Sequence, residues 1–324
     1  MRRRDLLLGP PAAALGGLAA PALGQGRYPA RPIRMIIAYP PGAATDAMSR
    51  LAAQKIGEKL GVTVVTENRS GGNGTVGSLA VLQAPADGYT ILGSASIHVM
   101  GKHVLRAVPY DPVADFVPIA RHARGPLVLV MDPRRPQRTV AEVAEAAKRD
   151  PNRWTFGTSS LGSAGHLGTI EFNRVTGANI EIVAYRGSAQ GLTDVAAGNS
   201  QLMFDPVLAT LPMIQGGQVR GMGIATSRRT PLAPDLPTMS EAGLPGFEFF
   251  SWYGVWGHRS MPAEIVATIN AALNEAMREP ETVARLTQLG FEPVTETPAE
   301  LEAFVREDVE RNAALLRLAN FQPE

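Results

Sequence analysis

The groups in this chain best suited to holding a charged ligand are main-chain amides and hydroxyls at strand-to-helix turns, not ionisable side chains. Residues 37–46 read Ile-Ala-Tyr-Pro-Pro-Gly-Ala-Ala-Thr-Asp. An apolar strand, Ile33 to Ala38, runs into this proline–glycine turn and then straight into a helix expected from Asp46 to Leu60. Such a junction aims unpaired N–H groups at one point, and the helix dipole adds positive potential there. The turn suits a carboxylate- or phosphate-sized anion, with Tyr39, Pro41, Gly42, Ala43, Thr45 and Asp46 as its candidate contacts.

A second turn repeats this geometry with hydroxyl donors. Thr158-Ser159-Ser160-Leu161-Gly162-Ser163 follows a strand and opens a helix. Serine and glycine are ordinary turn and cap residues, and a cap with spare donors is also an anion cup. Both roles are open to Ser159, Ser160 and Ser163. No Gly-x-Ser-x-Gly register fits there, which excludes a nucleophile elbow. His166 has no Asp or Glu neighbour to orient it and reads as a structural group, or one behind the contacts, rather than a base.

At Tyr185-Arg186-Gly187-Ser188 the guanidinium has the right shape to clamp a carboxylate. An arginine at a strand–helix junction is more often solvated, so Tyr185, Ser188 and the loop amides are the preferred contacts. Asp205 ends a strand and has two open readings: an acceptor for a ligand hydroxyl, amine or bridging water, or a group that fixes the hinge. Ser94 and Ser96 close the strand-like run at 90–94 and complete the set with Gly72 and Asn73. Gly72-Asn73-Gly74-Thr75-Val76-Gly77 matches a dinucleotide fingerprint formally, but no acidic ribose partner follows at the required distance. His98, His103, His122 and His258 show no metal-ligand spacing. No metal and no cofactor is expected.

These turns must be carried by regular elements, and the pattern is α/β. Strand-like runs at 33–39, 62–66, 90–94, 126–131, 154–158, 181–185, 201–204 and 219–225 alternate with helix-period segments, as in a mostly parallel sheet. Thr139 to Glu142 and Thr297 to Glu300 read as capping boxes. The first opens a helix with Val140, Val143, Ala144 and Ala147 on one face; the second has Pro298 at its first position and Leu301, Phe304, Val305 and Val309 inward. Two further stretches, Asp115 to His122 and Phe247 to His258, look like connections. The second concentrates Phe247, Phe249, Phe250, Trp252, Tyr253 and Trp256; it reads either as an aromatic core strand or as a hinge strand beside a cleft. Their spacing fits one domain inserted into another.

Ahead of the fold, Met1-Arg2-Arg3-Arg4-Asp5 precedes residues 6–24, which carry no charge. A basic start, an apolar run and small residues near Ala22 and Gly24 predict a cleaved secretory signal over residues 1–24. Pro10, Pro11 and several glycines argue against a membrane helix. Arg3-Arg4-Asp5-Leu6-Leu7 resembles a twin-arginine signal, and Sec export stays open beside it. Losing three Arg and one Asp takes the net charge from +1 to −1, which gives no reason to expect nucleic acid or an anionic membrane as partner. The absence of cysteine excludes disulfides, thiolate metal sites, a cysteine nucleophile and an N-terminal lipid anchor. A freely diffusing periplasmic monomer is expected.

Many short motifs then line up in order: Tyr28-Pro29 with Arg31-Pro32-Ile33, Pro40-Pro41-Gly42 with Thr45-Asp46, Glu67-Asn68-Arg69, and Pro85 to Thr90. Pro109 to Pro112 with Asp115-Phe116, Gly162-Ser163 with His166-Leu167, and Tyr185 to Ala189 follow; Met203 to Asp205 and Pro237-Thr238 with Glu241 to Gly243 complete them. On these the chain resembles the Bug-type substrate-binding proteins of tripartite tricarboxylate transporters over essentially its whole mature length. The resemblance implies a periplasmic-binding-protein type II-like fold: two α/β lobes joined by crossing hinge strands, with a ligand cleft between them. Lobe 1 is expected over 25–122 plus 248–324, and lobe 2 over 123–247. It implies a small carboxylate ligand (a di- or tricarboxylate, acidic amino acid or aromatic acid), held by backbone amides, hydroxyls and water, and delivery to membrane transporter subunits. A ligand sensor for a signalling partner, or an exported enzyme, are the alternatives; no nucleophile–base pair, metal cluster or cofactor motif supports the enzyme. Ala43 stands where the family has a second glycine, Thr75 where asparagine is common, and Pro206 where asparagine is frequent. A β-carbon at Ala43 would penalise positive φ and narrow the cup.

Overall fold

The computed structural model describes residues 28–324; the expected signal peptide over residues 1–24 lies outside them. The chain starts with parallel strands β1 (Ile33–Ile37), β2 (Val64–Asn68) and β3 (Thr90–Ala95), connected through helices α1 (Ala44–Leu60) and α2 (Thr75–Leu82). A short helix α3 (Gly101–Val104) precedes the long strand β4 (Phe116–Met131). There follow α4 (Val140–Arg149), β5 (Thr155–Thr158), α5 (Ala164–Thr176), β6 (Glu181–Ala184), α6 (Ser188–Ala197), β7 (Leu202–Pro206), α7 (Val207–Gln215) and β8 (Arg220–Ile224). Strand β9 (Phe250–His258) then returns, followed by α8 (Ala263–Ala276), α9 (Pro280–Gln288), β10 (Glu292–Pro293) and α10 (Pro298–Leu318).

The strands run in the order β2-β1-β3-β9-β4-β7-β5-β6, with β8 and β10 also on β4. The stretches expected at 115–122 and 126–131 are therefore one continuous strand. From Phe116 to Pro126 it pairs antiparallel with β9, and from Leu127 to Met131 with β7. The aromatic stretch is the second connecting strand, and its register runs from Phe116 opposite His258 to Pro126 opposite Phe250. Strand β4 changes partner between Pro126 and Leu127.

Alternation along the strands sorts side chains to two faces. In the first lobe Ile33, Met35 and Ile91 pack with Met48 and Ile56 of α1 and Ile269 and Leu273 of α8. Ile36 and Leu92 face the other way, toward Val81 of α2 and Leu301 and Val305 of α10. In the second, Leu127, Leu129 and Met131 turn to α4 and α5, while Val128 and Val130 turn to α6 and α7. Both sheets are thus covered on both faces, which explains why their strands read as nearly continuous apolar runs.

The capping predictions divide. At α10 both bonds of the box form: Thr297 Oγ1 accepts from Glu300 N, and the Glu300 carboxylate accepts from Thr297 N at 2.8 Å. At α4 Thr139 accepts from Glu142 N, but the Glu142 carboxylate takes the N–H of Arg138 instead. The predicted stripe of α4 is buried, and in that of α10 Leu301 and Val305 are buried with Phe304 and Val309 half-buried against the same core. Among the described residues no helix is long and apolar enough to cross a membrane.

Gly125 sits on β4 at the junction, and a Cβ there would overlap the ring of Phe291, which is buried. Gly125→Ala should destabilise by about 1–3 kcal/mol through overpacking. The expected reading is a lower urea midpoint with an unchanged slope.

Candidate functional site

Between the lobes lies a cleft of about 570 Å³. Its first wall is the β1–α1 turn. Gly42 takes the positive φ of that turn (89°), so Ala43 sits at φ −85°, ψ 169° as the extended N-cap of α1. The penalty expected for Ala43 does not arise. Helix α1 begins at Ala44, and the N–H groups of Ala44, Thr45 and Asp46 have no acceptor among the described residues. Ala43 carries no capping oxygen to satisfy them.

Asp46 is buried and turned away from the cleft. Its carboxylate accepts from Gly42 N at 3.1 Å, from Arg50 Nε at 3.0 Å and from Asn68 Nδ2 at 2.8 Å. Burial would raise its pKa, but the bonds from Arg50, Asn68 and Gly42 outweigh that and hold it below the ordinary carboxylate range. Asp46 builds the turn. Pro41 and Gly42 also lie off the cleft wall.

The second stretch of this wall is the glycine turn, Ser70 to Gly74, placed between β2 and α2. Thr75 Oγ1 donates back to Gly72 O at 2.5 Å, so it closes the turn and stays out of the cleft. Asn73, at φ 55°, reaches across to the other lobe. Its Nδ2 donates to Leu161 O at 2.9 Å and its Oδ1 accepts from Ser160 Oγ at 2.7 Å. Tyr39 OH donates to Asn73 O at 3.3 Å and steadies it. Ser96 lines the cleft with a buried hydroxyl that lacks a partner among the described residues; Ser94 is buried off the wall.

The opposite wall comes from the turns that open α5 and α6. Ser163 is the N-cap of α5, its Oγ accepting from His166 N at 3.1 Å. The next amides, Ala164 and Gly165, line the cleft and have no acceptor among the described residues. A Cβ on Gly165 would overlap the Phe204 carbonyl, so only glycine lets this helix end approach β7 so closely. His166 points behind it: Nδ1 accepts from Gly162 N at 3.1 Å, the ring meets Phe321 edge-on, and burial depresses its pKa to about 4. Helix α6 likewise opens at the cleft, with Tyr185, Arg186, Gly187 and Ser188 on the wall and Arg186 exposed at the rim. Burial, with Asp194 beside it, pushes the Tyr185 phenol up to about 12.

Asp205 is buried beneath this wall rather than on it. Ser188 Oγ donates to its Oδ1 at 2.9 Å, and Oδ2 has no partner among the described residues. Burial drives its pKa up to about 7, against the pull of the serine hydroxyl. Pro206 borders the cleft at the head of α7.

Sequence reading missed the floor. Leu127 of β4 and Ser251 and Tyr253 of β9 line it, and the Tyr253 hydroxyl is buried without a partner among the described residues. Strict alternation along β9 was the available signal: Trp252 and Trp256 bury in one core, Tyr253 and Val255 in the other. Ser70, Gly71 and Gly74 join the predicted Gly72 and Asn73, and Ile97 follows Ser96.

The profile of the family described as "Tripartite tricarboxylate transporter family receptor" matches residues 48–321. The chain belongs to this family. Its fold is also that of solved periplasmic binding proteins. R. palustris Rpa4515, solved with adipate, is 34% identical with a TM-score of 0.86, over 92% of this chain and 100% of that one. The periplasmic binding protein BugD is 30% identical with a TM-score of 0.83, over 92% and 100%. MatC from Rhodopseudomonas palustris, with bound malate, is 28% identical with a TM-score of 0.82, over 89% and 100%. The structure is therefore that of a solute-binding receptor of the tripartite tricarboxylate transporter family.

Asp205 gives this receptor a pH-dependent stability. The folded chain keeps the Asp205 proton up to about pH 7, whereas the ordinary value is 3.8. Between these values the folded state binds more proton, so its stability falls as pH rises, by on the order of 4 kcal/mol. In urea titrations Asp205→Asn should therefore gain on the parent protein from about pH 4 to about pH 7. A constant difference across that range would contradict the assignment.

Proposed function

We propose that this protein is a periplasmic receptor that captures a small dicarboxylate in the interlobe cleft and hands it, chemically unchanged, to the membrane subunits of a tripartite tricarboxylate-type transporter. The observation that carries the reading is the opening of α1, α5 and α6 onto one cleft, whose single charged lining side chain among the described residues is Arg186 at the rim. Helix N-termini with free N–H groups neutralise an anion without burying a cation. The adipate and malate in the related structures are dicarboxylates, which supports a four- to six-carbon diacid here. Ser163 is engaged as a cap and His166 faces away, so among the described residues the wall holds no nucleophile with a base in reach, which supports binding without catalysis. The basic, then apolar, N-terminus supports export.

Expression of the full chain in a Gram-negative host should yield periplasmic protein starting near Gln25. In a thermal-shift panel, adipate, malate or a close diacid at about 100 times its Kd should add roughly 2.7 kcal/mol, with neutral sugars inert. Stabilisation by sugars alone, or recovery of altered diacid, would overturn the reading. Arg186→Ala should weaken binding less than about tenfold, because an exposed charge is screened by solvent.

A further inference from the structure

The geometry points to Asp205 and Ser188 as a proton-set hydrogen-bond switch, through which the cleft takes up one proton from solvent when it binds a carboxylate. This inference rests on the receptor reading above. Ser188 stands on the cleft wall and Asp205 directly behind it, with the serine hydroxyl donating to Oδ1 at 2.9 Å. A hydroxyl has one hydrogen. Directed at Asp205, it leaves Ser188 only lone pairs to show the cleft, and these repel a carboxylate oxygen. With a proton on Asp205 the bond reverses. The carboxylic acid donates to Ser188 Oγ, and the serine hydrogen turns toward the ligand.

The surroundings favour that exchange. Asp205 is 1% exposed, and its second oxygen has no partner among the described residues. From α6 it faces Ser188 with exposed Arg186 in the preceding turn; from the loop before α5, Ser159. From β9 it faces Tyr253, whose ionisation burial suppresses, and from β4 the backbone of Val128. On α5, His166 is bonded to Gly162 N and held neutral by burial. No lysine or arginine forms an ion pair with Asp205 among the described residues. A bound carboxylate adds a second negative charge beside a buried one, so a proton is the available neutraliser.

Calorimetric titration of the exported protein with adipate or malate from about pH 6.5 to about 9, where both ligand carboxyls are ionised, tests this. Above about pH 7 Kd should rise toward tenfold per pH unit, and buffers of differing ionisation enthalpy should report uptake approaching one proton per ligand. Asp205→Asn, whose amide N–H reproduces the acid's donor, should hold the low-pH affinity throughout with no uptake. Carboxylate binding with flat affinity and no proton uptake, or a wild-type slope retained in Asp205→Asn, would overturn the switch and leave the receptor intact. Failure of every carboxylate at every pH would overturn both. Should Asp205→Asn not fold, the wild-type buffer series decides the matter.

Discussion

Every wall of the cleft is referred back to one interaction, the antiparallel pairing of β4 with β9. These strands form the seam of both sheets and supply Leu127, Ser251 and Tyr253 as the floor on which the opposing loops are registered. A one-residue slip would exchange the faces of β9, sending Trp252 into the cleft and Tyr253 into the α10 core. That slip is opposed by specific anchors. Trp252 Nε1 donates to buried Asp308 of α10 at 3.1 Å, and Arg121 of β4 makes a two-pronged pair with Glu296 at 2.8 and 3.0 Å while stacking on Phe304. Helix α10 also reaches the second lobe, where Leu316 packs with Leu167 and Ile170 of α5.

The cleft wall consists largely of what helices leave unsatisfied. Ala43 and Gly187 cap α1 and α6 without a side-chain bond, and Ser163 satisfies only part of the first turn of α5. An uncapped helix end is a local cost to stability that a bound anion relieves. The buried histidines play no part in this: His98 and His122 are pressed to about 3 and about 4 by desolvation and serve the core.

Much of this was legible in the sequence. The turns at 39–45, 72–73, 159–163 and 185–188 announce themselves through glycine, proline and hydroxyl residues at strand ends, and the fold brings them around one cleft. The capping residues of α10 were readable because both of its bonds are local. What resisted reading was direction. Asp46 and Asp205 stand beside the contact turns, but hydrogen bonds to Asn68 and Ser188, each many residues distant, rotate them off the wall. His166, read as a structural group or one behind the contacts, is buried behind the wall with Nδ1 accepting from Gly162 N. The floor was hidden because an aromatic strand of alternating faces does not reveal which face meets solvent until its partners are known. Asp46 could have been suspected from Arg50 one helical turn later, a spacing that favours a local ion pair.

Asn73 Nδ2 donating to Leu161 O and Ser160 Oγ donating to Asn73 Oδ1 join the two lobes directly. A latch made of the chain's own side chains adds its free energy to that of any occupant. Residence time then lengthens with each increment of latch strength, because a bound molecule leaves only after the lobes part. The same increment enlarges the closed but vacant population. A docking partner that sensed shape alone would meet vacant copies as competitors of loaded ones. Asn73, which lines the cleft as well as bridging the lobes, would set the balance between retention and traffic.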